Sequence, residues 1–194
     1  MLILASASPR RQELLRNAGL DFVVKPANVA EEILPGETPE TCADRLARSK
    51  AYAVFNQRSL DQSQYRVLGA DTLVVVNGEI LGKPTDQSDA TRMLRLLSAR
   101  DHLVITGVCL LTPMHNSSER AREDVRHETT RVTVSNLTDA EIADYVASGE
   151  SMDKAGAYAI QGQASRWIPR IEGCYFNVVG LPISLLHRML RESP

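Results

Sequence analysis

Residues 66–84 read RVLGADTLVVVNGEILGKP. The apolar, largely β-branched positions on either side of Asp71 predict a strand, and Asn77-Gly78 predicts a tight hairpin turn at its end. Aspartate is disfavoured in strands and costs free energy to bury without a partner. We therefore expect positive charge opposite Asp71 and place the chemistry of the protein there. Gly69 is small enough for a ligand or a second backbone to come close to this strand.

Two lysines are candidates for this positive charge. Lys83 follows at the far end of the hairpin, and Lys50 falls on the apolar stripe of a helix predicted to begin at Thr38-Pro39. A lysine on such a stripe either extends its ammonium group to the surface or directs it inward at a carboxylate or phosphate. Both alternatives remain open for Lys50 from the sequence alone.

The turn after the first apolar segment, at residues 2–5, suggests an anion site. Residues 6–11 read SASPRR, with Ser8 predicted to cap a helix whose first turn contains Arg10 and Arg11. The dipole of a helix already favours anions at this end. Either both arginines are solvated, or they bind a phosphate together with the free N–H groups of the helix, and we favour the phosphate. The acidic pair Glu31 and Glu32 follows in an irregular segment that is typical of a solvated loop.

Composition narrows the class of protein. The 194 residues are predicted to form a single domain, residues 1–194, that is large enough for two lobes. Acidic and basic residues are mixed along the chain and the formal net charge is −2, so no basic surface for nucleic acid is indicated. The three cysteines lack the C-x-x-C spacing and are typical of reduced thiols. With no secretory pattern and no apolar run of membrane-spanning length, we expect a soluble cytoplasmic protein.

The remaining elements are predicted from periodicity and caps. Helices are predicted to begin at Thr85 or Asp86, at the capping-box pattern of Thr138, and at Pro182. Strands are predicted at residues 102–111, 128–134, 166–171 and 175–179, and a polar loop at residues 113–124. Residues 153–162 combine glycines and small side chains without a clear period, which predicts a segment that other groups approach closely.

Five motifs, in this order, resemble those of the Maf family of nucleoside triphosphate pyrophosphatases: SASPRR at residues 6–11, GADT at 69–72, GKP at 82–84, DKAGAYAIQG at 153–162 and NVVGLP at 177–182. The resemblance runs essentially end to end. It implies a two-lobed α/β fold, with a long twisted mixed sheet flanked by helices and a central cleft, similar to the inosine triphosphatase architecture. It also implies hydrolysis between the α and β phosphates, giving a monophosphate and pyrophosphate, with Mg or Mn.

The resemblance also implies roles for individual residues. The residues expected to bind the triphosphate are Ser6, Arg11, Lys50 and Lys83. Asp71 would act as the general base or as a metal ligand, with Glu32 as a further ligand, and the sequence does not separate the two roles. Carboxylate and phosphate oxygens suit a hard ion such as Mg or Mn better than zinc.

Three positions distinguish two branches of the family. The branch acting on methylated GTP carries Trp, Gln and Glu where this chain has Arg10, Thr72 and Gln161, so the chain is similar to the branch specific for dTTP and UTP. A glutamine amide offers a donor and an acceptor, which suits the carbonyl and N–H edge of uracil or thymine. Small departures from the family pattern are Pro169 inside a predicted strand and the polar residues near His115.

Two further expectations follow from this resemblance and its main alternative. The family resemblance suggests a homodimer that binds a nucleoside triphosphate. From the net charge and the lack of a long apolar run, we expect it to bind neither nucleic acid nor membrane. The alternative function is a regulator of cell division that senses triphosphates and acts through a protein partner without turnover. Both interpretations require the phosphate turn at residues 6–11, but only hydrolysis requires Asp71 and a metal.

Overall fold

The computed structural model describes residues 1–57, 65–114 and 117–193, with the side chains of all of these except residues 117–120. The strands are β1 (Leu2–Leu4), β2 (Phe22–Val24), β3 (Arg66–Val76), β4 (Glu79–Leu81), β5 (Asp101–Met114), β6 (Ser117–Thr133) and β7 (Arg170–Glu172). The α-helices are α1 (Pro9–Asn17), α2 (Pro39–Phe55), α3 (Gln87–Leu97), α4 (Asp139–Ala147), α5 (Tyr175–Val179) and α6 (Ile183–Glu192). Short 3-10 helices lie at Ala155–Ala157 and Gln163–Trp167.

These strands form one mixed sheet of seven strands in the order β2-β1-β3-β5-β6-β7, with β4 paired to β3 outside this path. Strand β1 pairs in parallel with β2 and with β3, whereas the β3–β4 and β6–β7 pairs are antiparallel. The prediction of an α/β fold with a mixed sheet flanked by helices is confirmed.

The chain groups into two compact units, each assembled from separated segments. Unit 1 consists of Met1–Asp71, Thr106–Glu128 and Gly180–Pro194, and unit 2 consists of Thr72–Ile105 and Thr129–Val179. Each unit has a buried apolar core of its own. The core of unit 1 includes Ile3, Val54, Phe55 and Val67, and that of unit 2 includes Val74, Leu94, Tyr145 and Trp167.

The helices begin at the predicted caps. The side chains of Ser8, Thr38 and Thr138 each accept a hydrogen bond from the backbone N–H three residues later, at the starts of α1, α2 and α4. The capping box predicted at Thr138 is complete, because Glu141 also accepts from the Thr138 backbone N–H at 2.8 Å. Each such cap satisfies donors that the first turn of a helix leaves without partners.

The hairpin predicted after β3 is present. Asn77 and Gly78 both take positive φ angles, 51° and 81°, as a type I′ turn requires. Strand β4 then pairs back along β3, with Val76 opposite Glu79 and Val74 opposite Leu81.

Gly69 brings helix α2 directly onto strand β3. A Cβ atom added to Gly69 would lie 2.1 Å from the carbonyl oxygen of Ala47 and 2.9 Å from the Cβ of Ala51, so no larger residue fits. The backbone expected to approach Gly69 is therefore that of α2. Because alternate residues of a strand share a face, Asp71 lies on the same face of β3 as Gly69, towards this helix.

The C-terminal part of the chain differs from the prediction. Residues 175–179 form helix α5 rather than a strand, and of residues 166–171 only 170 and 171 belong to a strand. Asn177 explains the helix, since it is fully buried and its amide donates at 2.9 Å to the carbonyl oxygen of Val104 and at 2.9 Å to Thr130 Oγ1. These long-range hydrogen bonds override the strand preference of the neighbouring aromatic and β-branched residues.

The polar loop predicted at residues 113–124 is wrong where the structure describes it. Residues 113–114 end β5 and residues 117–124 begin β6, while residues 115 and 116, including His115, lie outside the described residues. Charges on this part of β6 have partners, because Arg48 Nε donates to Glu123 at 3.0 Å and Arg126 Nε donates to Asp124 at 2.8 Å. Polar composition therefore did not prevent strand formation here.

A buried histidine makes unit 2 sensitive to acid. His102 is 2% exposed, its Nε2 lies 2.7 Å from the Tyr158 hydroxyl, and burial lowers its pKa to about 4. In the unfolded chain the pKa of histidine is about 6.5. Between these two values the unfolded state binds a proton that the folded state does not, so folding stability falls as the pH falls.

We expect His102→Gln to flatten this pH dependence. From the two pKa values, the wild-type chain should lose about 2 kcal/mol of unfolding free energy on this account between about pH 7.5 and about pH 5. Urea unfolding of the wild type and the variant at both pH values measures the difference. The unfolding free energy that is lost through protonation of carboxylates is common to the two proteins and cancels in the comparison. Equal losses in the two proteins would contradict the prediction.

Candidate active site

Helix α2 and strand β3 bring Lys50 and Asp71 together. Lys50 lies three residues after Ala47 and therefore shares the face of α2 that packs on Gly69. Its Nζ donates to Asp71 Oδ1 at 2.5 Å. The two residues are 7% and 6% exposed, so Lys50 directs its ammonium group inward, and the cation expected opposite Asp71 is present.

Lys50 also contacts a second carboxylate. Its Nζ donates to Glu31 Oε1 at 2.5 Å, with the Glu31 side chain 44% exposed. Glu32 was predicted as the further acidic ligand. The structure places the Glu32 side chain in solvent, and its backbone carbonyl accepts a hydrogen bond from Arg45 Nη2 at 2.7 Å.

Arg45 fixes the irregular segment that carries this acidic pair. Besides the carbonyl of Glu32, its guanidinium contacts the carboxylate of Glu37 through Nε and through Nη2, the latter at 2.7 Å. Hydrogen bonding to Arg45 lowers the pKa of Glu37 to about 2. The segment before α2 is thereby tied to the helix that carries Lys50.

Ser6 and Arg11 form the other part of the cluster in unit 1. Both are 8% exposed, and Arg11 donates to Ser6 Oγ at 3.1 Å through Nη1 and to the Gly180 carbonyl at 2.8 Å through Nε. Burial lowers the pKa of Arg11, while the negative charges of Asp71 and Glu31 act in the opposite direction. The surface alternative is therefore wrong for Arg11, whereas Arg10 is half-buried.

This arrangement has a defined chemical capacity. Among the described residues, no hydrogen bond reaches Asp71 Oδ2, so that oxygen can accept a proton or bind a cation. Lys50 and Arg11 can stabilise negative charge on phosphate oxygens. The carboxylates of Asp71 and Glu31 already balance the charges of the two cations. A bound polyphosphate would therefore add negative charge that this cluster does not neutralise by itself.

The carboxylates fit a hard cation that brings further ligands with it. Within residues 1–57, 65–114 and 117–193, no three His, Cys, Asp or Glu side chains are grouped so as to hold a metal ion. Asp71 and Glu31 nevertheless both contact Lys50 and both offer oxygen atoms. Magnesium is commonly held by one or two carboxylates together with substrate phosphates, which matches this donor set.

The other predicted site residues belong to unit 2. Thr72 is half-buried, and Lys83 and Gln161 are exposed. The close approach predicted for residues 153–162 is confirmed at Gly156, whose φ is 67° and whose added Cβ would lie 2.8 Å from Val74 Cγ1. Gly156 N–H donates to the carbonyl of the residue before Lys83 at 3.0 Å.

Two general expectations can also be compared with the structure. Cys42, Cys109 and Cys174 are all free thiols, as predicted. In the part of the chain that the structure describes, no helix combines the length and apolar character needed to cross a membrane.

Comparison with known proteins points to one family. A family model described as Maf-like protein matches residues 1–193. The chain is 55% identical over 192 residues to a dTTP/UTP pyrophosphatase of Koribacter versatilis, covering 99% of this chain and 94% of the relative. It is 49% identical over 187 residues to a dTTP/UTP pyrophosphatase of Syntrophomonas wolfei, covering 96% of this chain and 94% of the relative.

A solved structure supports the fold. The Staphylococcus aureus Ham1 protein matches with a TM-score of 0.50 at 17% identity, covering 100% of this chain and 99% of that chain. At this identity the likeness concerns the fold alone.

Proposed function

Since the chain belongs to the Maf family, we propose that it hydrolyses dTTP and UTP to the monophosphate and pyrophosphate, as the names of its relatives indicate for those proteins. The observation that carries the proposal is the buried pair of Lys50 and Asp71, with Arg11 held beside it. A buried carboxylate next to cations suits a reaction in which a water loses a proton while phosphate charge is stabilised.

The reaction follows from the chemistry of these residues. A water attacks the α phosphorus, and its proton passes to Asp71 as the new P–O bond forms. The bond from the α phosphorus to the oxygen bridging the β phosphate breaks, and pyrophosphate leaves with that oxygen. Lys50 and Arg11 stabilise the charge on the phosphate oxygens, Ser6 fixes the Arg11 guanidinium, and Lys83 supplies a further cation.

A divalent cation, Mg or Mn, belongs to this proposal. When bound, it would neutralise phosphate charge and orient the phosphate and the attacking water. Asp71 would hold it together with a carboxylate from the pair Glu31 and Glu32, of which Glu31 has the side chain that contacts Lys50. If Asp71 is mainly a ligand, the proton passes to solvent instead.

A coupled phosphate assay tests the activity. The protein is incubated with dTTP, UTP, dCTP or GTP, with and without Mn, and malachite green detects phosphate in the presence and absence of added inorganic pyrophosphatase. We expect colour with dTTP and UTP only when both Mn and the coupling enzyme are present. Phosphate released without the coupling enzyme would indicate stepwise dephosphorylation and contradict the proposal.

The same assay separates the enzyme from its main rival. A regulator that senses triphosphates would bind dTTP without turnover, so calorimetric binding with no pyrophosphate release would favour it. The relatives are named for hydrolysis, which favours the enzyme.

Substrate preference is a separate prediction. We expect the triple variant Arg10→Trp, Thr72→Gln and Gln161→Glu to lose preference for pyrimidines, with the ratio of kcat/KM for dTTP over that for GTP falling by about tenfold or more. The reason is that a carboxylate has no N–H to donate to a thymine carbonyl. An unchanged ratio in a folded variant would remove these three residues from the specificity argument.

The setting of the protein completes the proposal. We place it in the cytoplasm, where its three free thiols would remain reduced. We further propose a homodimer that does not bind nucleic acid. Light scattering after size exclusion measures the mass, and retention on a DNA column at low salt tests the second point.

A further inference from the structure

Outside the cluster of Lys50, Asp71, Glu31 and Arg11, the strongest feature is a pair of side chains, Tyr145 and Glu150, that hold the turn carrying Gln161. Residues 159–162 form a tight turn in which Gly162 N–H donates to the Ala159 carbonyl at 3.1 Å. Gln161 is the third residue of this turn, and it is exposed. A backbone hydrogen bond therefore closes the turn, and the amide side chain that the turn carries is exposed.

Helix α4 and the residues after it hold both ends of the turn. On the entry side, Ala159 N–H donates to the Tyr145 hydroxyl at 3.2 Å. On the exit side, Gln163 N–H donates to both carboxylate oxygens of Glu150, at 3.1 Å and 3.2 Å. Tyr145 joins the two sides by donating its hydroxyl to Glu150 Oε1 at 2.9 Å.

The holding residues are themselves well fixed. Tyr145 is fully buried, and its ring packs edge-on against Trp167 with the ring centres 5.2 Å apart. Burial, followed by the hydrogen bond to Glu150, raises the pKa of Tyr145 well above its usual value, so the hydroxyl keeps its proton and remains a donor. These contacts lie within unit 2, as do Thr72 and Lys83.

A glycine in the turn gives room for this arrangement. An added Cβ at Gly162 would lie 2.0 Å from Glu150 Oε1. The carboxylate therefore reaches Gln163 N–H only because position 162 has no side chain. Its φ of −101° is accessible to any residue, so the close approach of Glu150, and not the backbone conformation, requires glycine here.

Holding matters because a glutamine amide is ambiguous. Its NH2 and C=O lie side by side, and a half-turn about its last bond exchanges them. The amide can then pair either with the N–H and carbonyl edge of thymine or with the ring nitrogen and amino group of cytosine. The hydrogen bonds of the turn do not stop this rotation, but they fix the backbone from which the Gln161 side chain extends. A fixed backbone sets the distance and direction at which the amide meets the edge of a base, so selection between bases depends on the turn being held.

We propose that Glu150 and Tyr145 are positioning residues that set the preference for thymine and uracil over cytosine by holding the turn that presents Gln161. This inference rests on the proposed function and deepens it. Neither residue contacts the reacting phosphorus in the proposal. We call Glu150 and Tyr145, with their hydrogen bonds to the turn, the clamp. Its loss should therefore raise KM for dTTP and leave kcat largely unchanged.

The test is a double-mutant cycle read out as base selectivity. We expect Glu150→Ala to lower the ratio of kcat/KM for dTTP over that for dCTP by about tenfold, as for the loss of hydrogen bonds to a charged acceptor. In a Gln161→Ala background the same change should have no further effect on the ratio, since Glu150 acts through Gln161. Independent effects that multiply, or an unchanged ratio, would overturn the inference.

Further variants separate positioning from folding. Glu150→Gln retains an acceptor oxygen and should recover part of the selectivity, whereas Gly162→Ala keeps every polar group but displaces the carboxylate and should reproduce the loss. Asp144→Ala, at an exposed position on α4, is the matched control and should leave the ratio unchanged. Loss of selectivity in Asp144→Ala, or retention of it in a folded Gly162→Ala, would contradict the clamp.

The outcomes also distinguish this inference from the proposed function. If the wild type releases pyrophosphate from dTTP and Glu150→Ala keeps its selectivity, only the clamp fails. If the wild type shows no turnover, the proposed function fails. Calorimetry with non-hydrolysable analogues of dTTP and dCTP then tests the clamp through the ratio of the two dissociation constants. An equal ratio in the wild type and in Glu150→Ala would overturn the inference.

Discussion

Asp71→Asn is expected to fold normally and to release almost no pyrophosphate from dTTP. The amide oxygen of asparagine still accepts a hydrogen bond from Lys50, and the Glu31 carboxylate still balances the buried ammonium charge, so the contact between α2 and β3 keeps polar partners. Asparagine cannot take a proton from water and binds a hard cation weakly. Loss of such a group should cost about 2 to 4 kcal/mol of barrier, or about 30- to 900-fold in kcat.

The measurement compares steady-state pyrophosphate release by the wild type, Asp71→Asn and a matched control. Asp21→Asn makes the same chemical change at an exposed position of unit 1, and it should retain wild-type turnover. Thermal unfolding of all three proteins shows whether the variants are folded. Substantial turnover in a folded Asp71→Asn variant would remove Asp71 from the centre of the chemistry.

The sequence predicted a cation opposite Asp71, because a carboxylate inside an apolar strand violates the local pattern, but it left open whether Lys50 supplies that cation. A lysine on the apolar stripe of α2 and an aspartate inside β3 are each costly alone, and in the structure they meet. Gly69 marked the place where a second backbone approaches, and in the structure this backbone is that of α2. Such conflicts between local pattern and residue type are readable without coordinates.

Glu31 was not predicted, because its position depends on contacts that leave no local signal. Glu31 and Glu32 are chemically identical neighbours in an irregular segment, and the contacts of Arg45 with Glu32 and Glu37 accompany the approach of Glu31 to Lys50. No periodicity distinguishes one glutamate from the other.

Helix α5 was missed for a related reason. Its aromatic and β-branched residues favour a strand locally, and the hydrogen bonds of Asn177 to residues 47 and 73 positions earlier decide otherwise. The clamp around Gln161 also escaped prediction. The capping pattern of α4 identified the helix, but nothing in the sequence indicated that Tyr145 and Glu150 hold a turn that begins 14 residues after Tyr145.

Lys50→Met is expected to produce the largest loss of stability among changes at the candidate active site. It leaves the Asp71 carboxylate, 6% exposed, without its ammonium partner. Removing one partner of a buried ion pair typically costs about 3 to 5 kcal/mol, because the remaining charge is desolvated and loses its nearest counter-charge. The attraction between Asp71 and Arg11 offsets part of this cost. Turnover of dTTP should fall as well, since Lys50 is proposed to stabilise phosphate charge.

A double-mutant cycle separates the charge penalty from lost packing. In Lys50→Met with Asp71→Asn, no buried charge remains at the pair, so most of the lost unfolding free energy should return although activity does not. Urea unfolding of the two single variants and the double variant gives the coupling, with Lys25→Met, a lysine of unit 1 outside the cluster, as the control. If the double variant is less stable than Lys50→Met, the instability comes from lost packing of the lysine stem, and the stranded charge of Asp71 is not its cause.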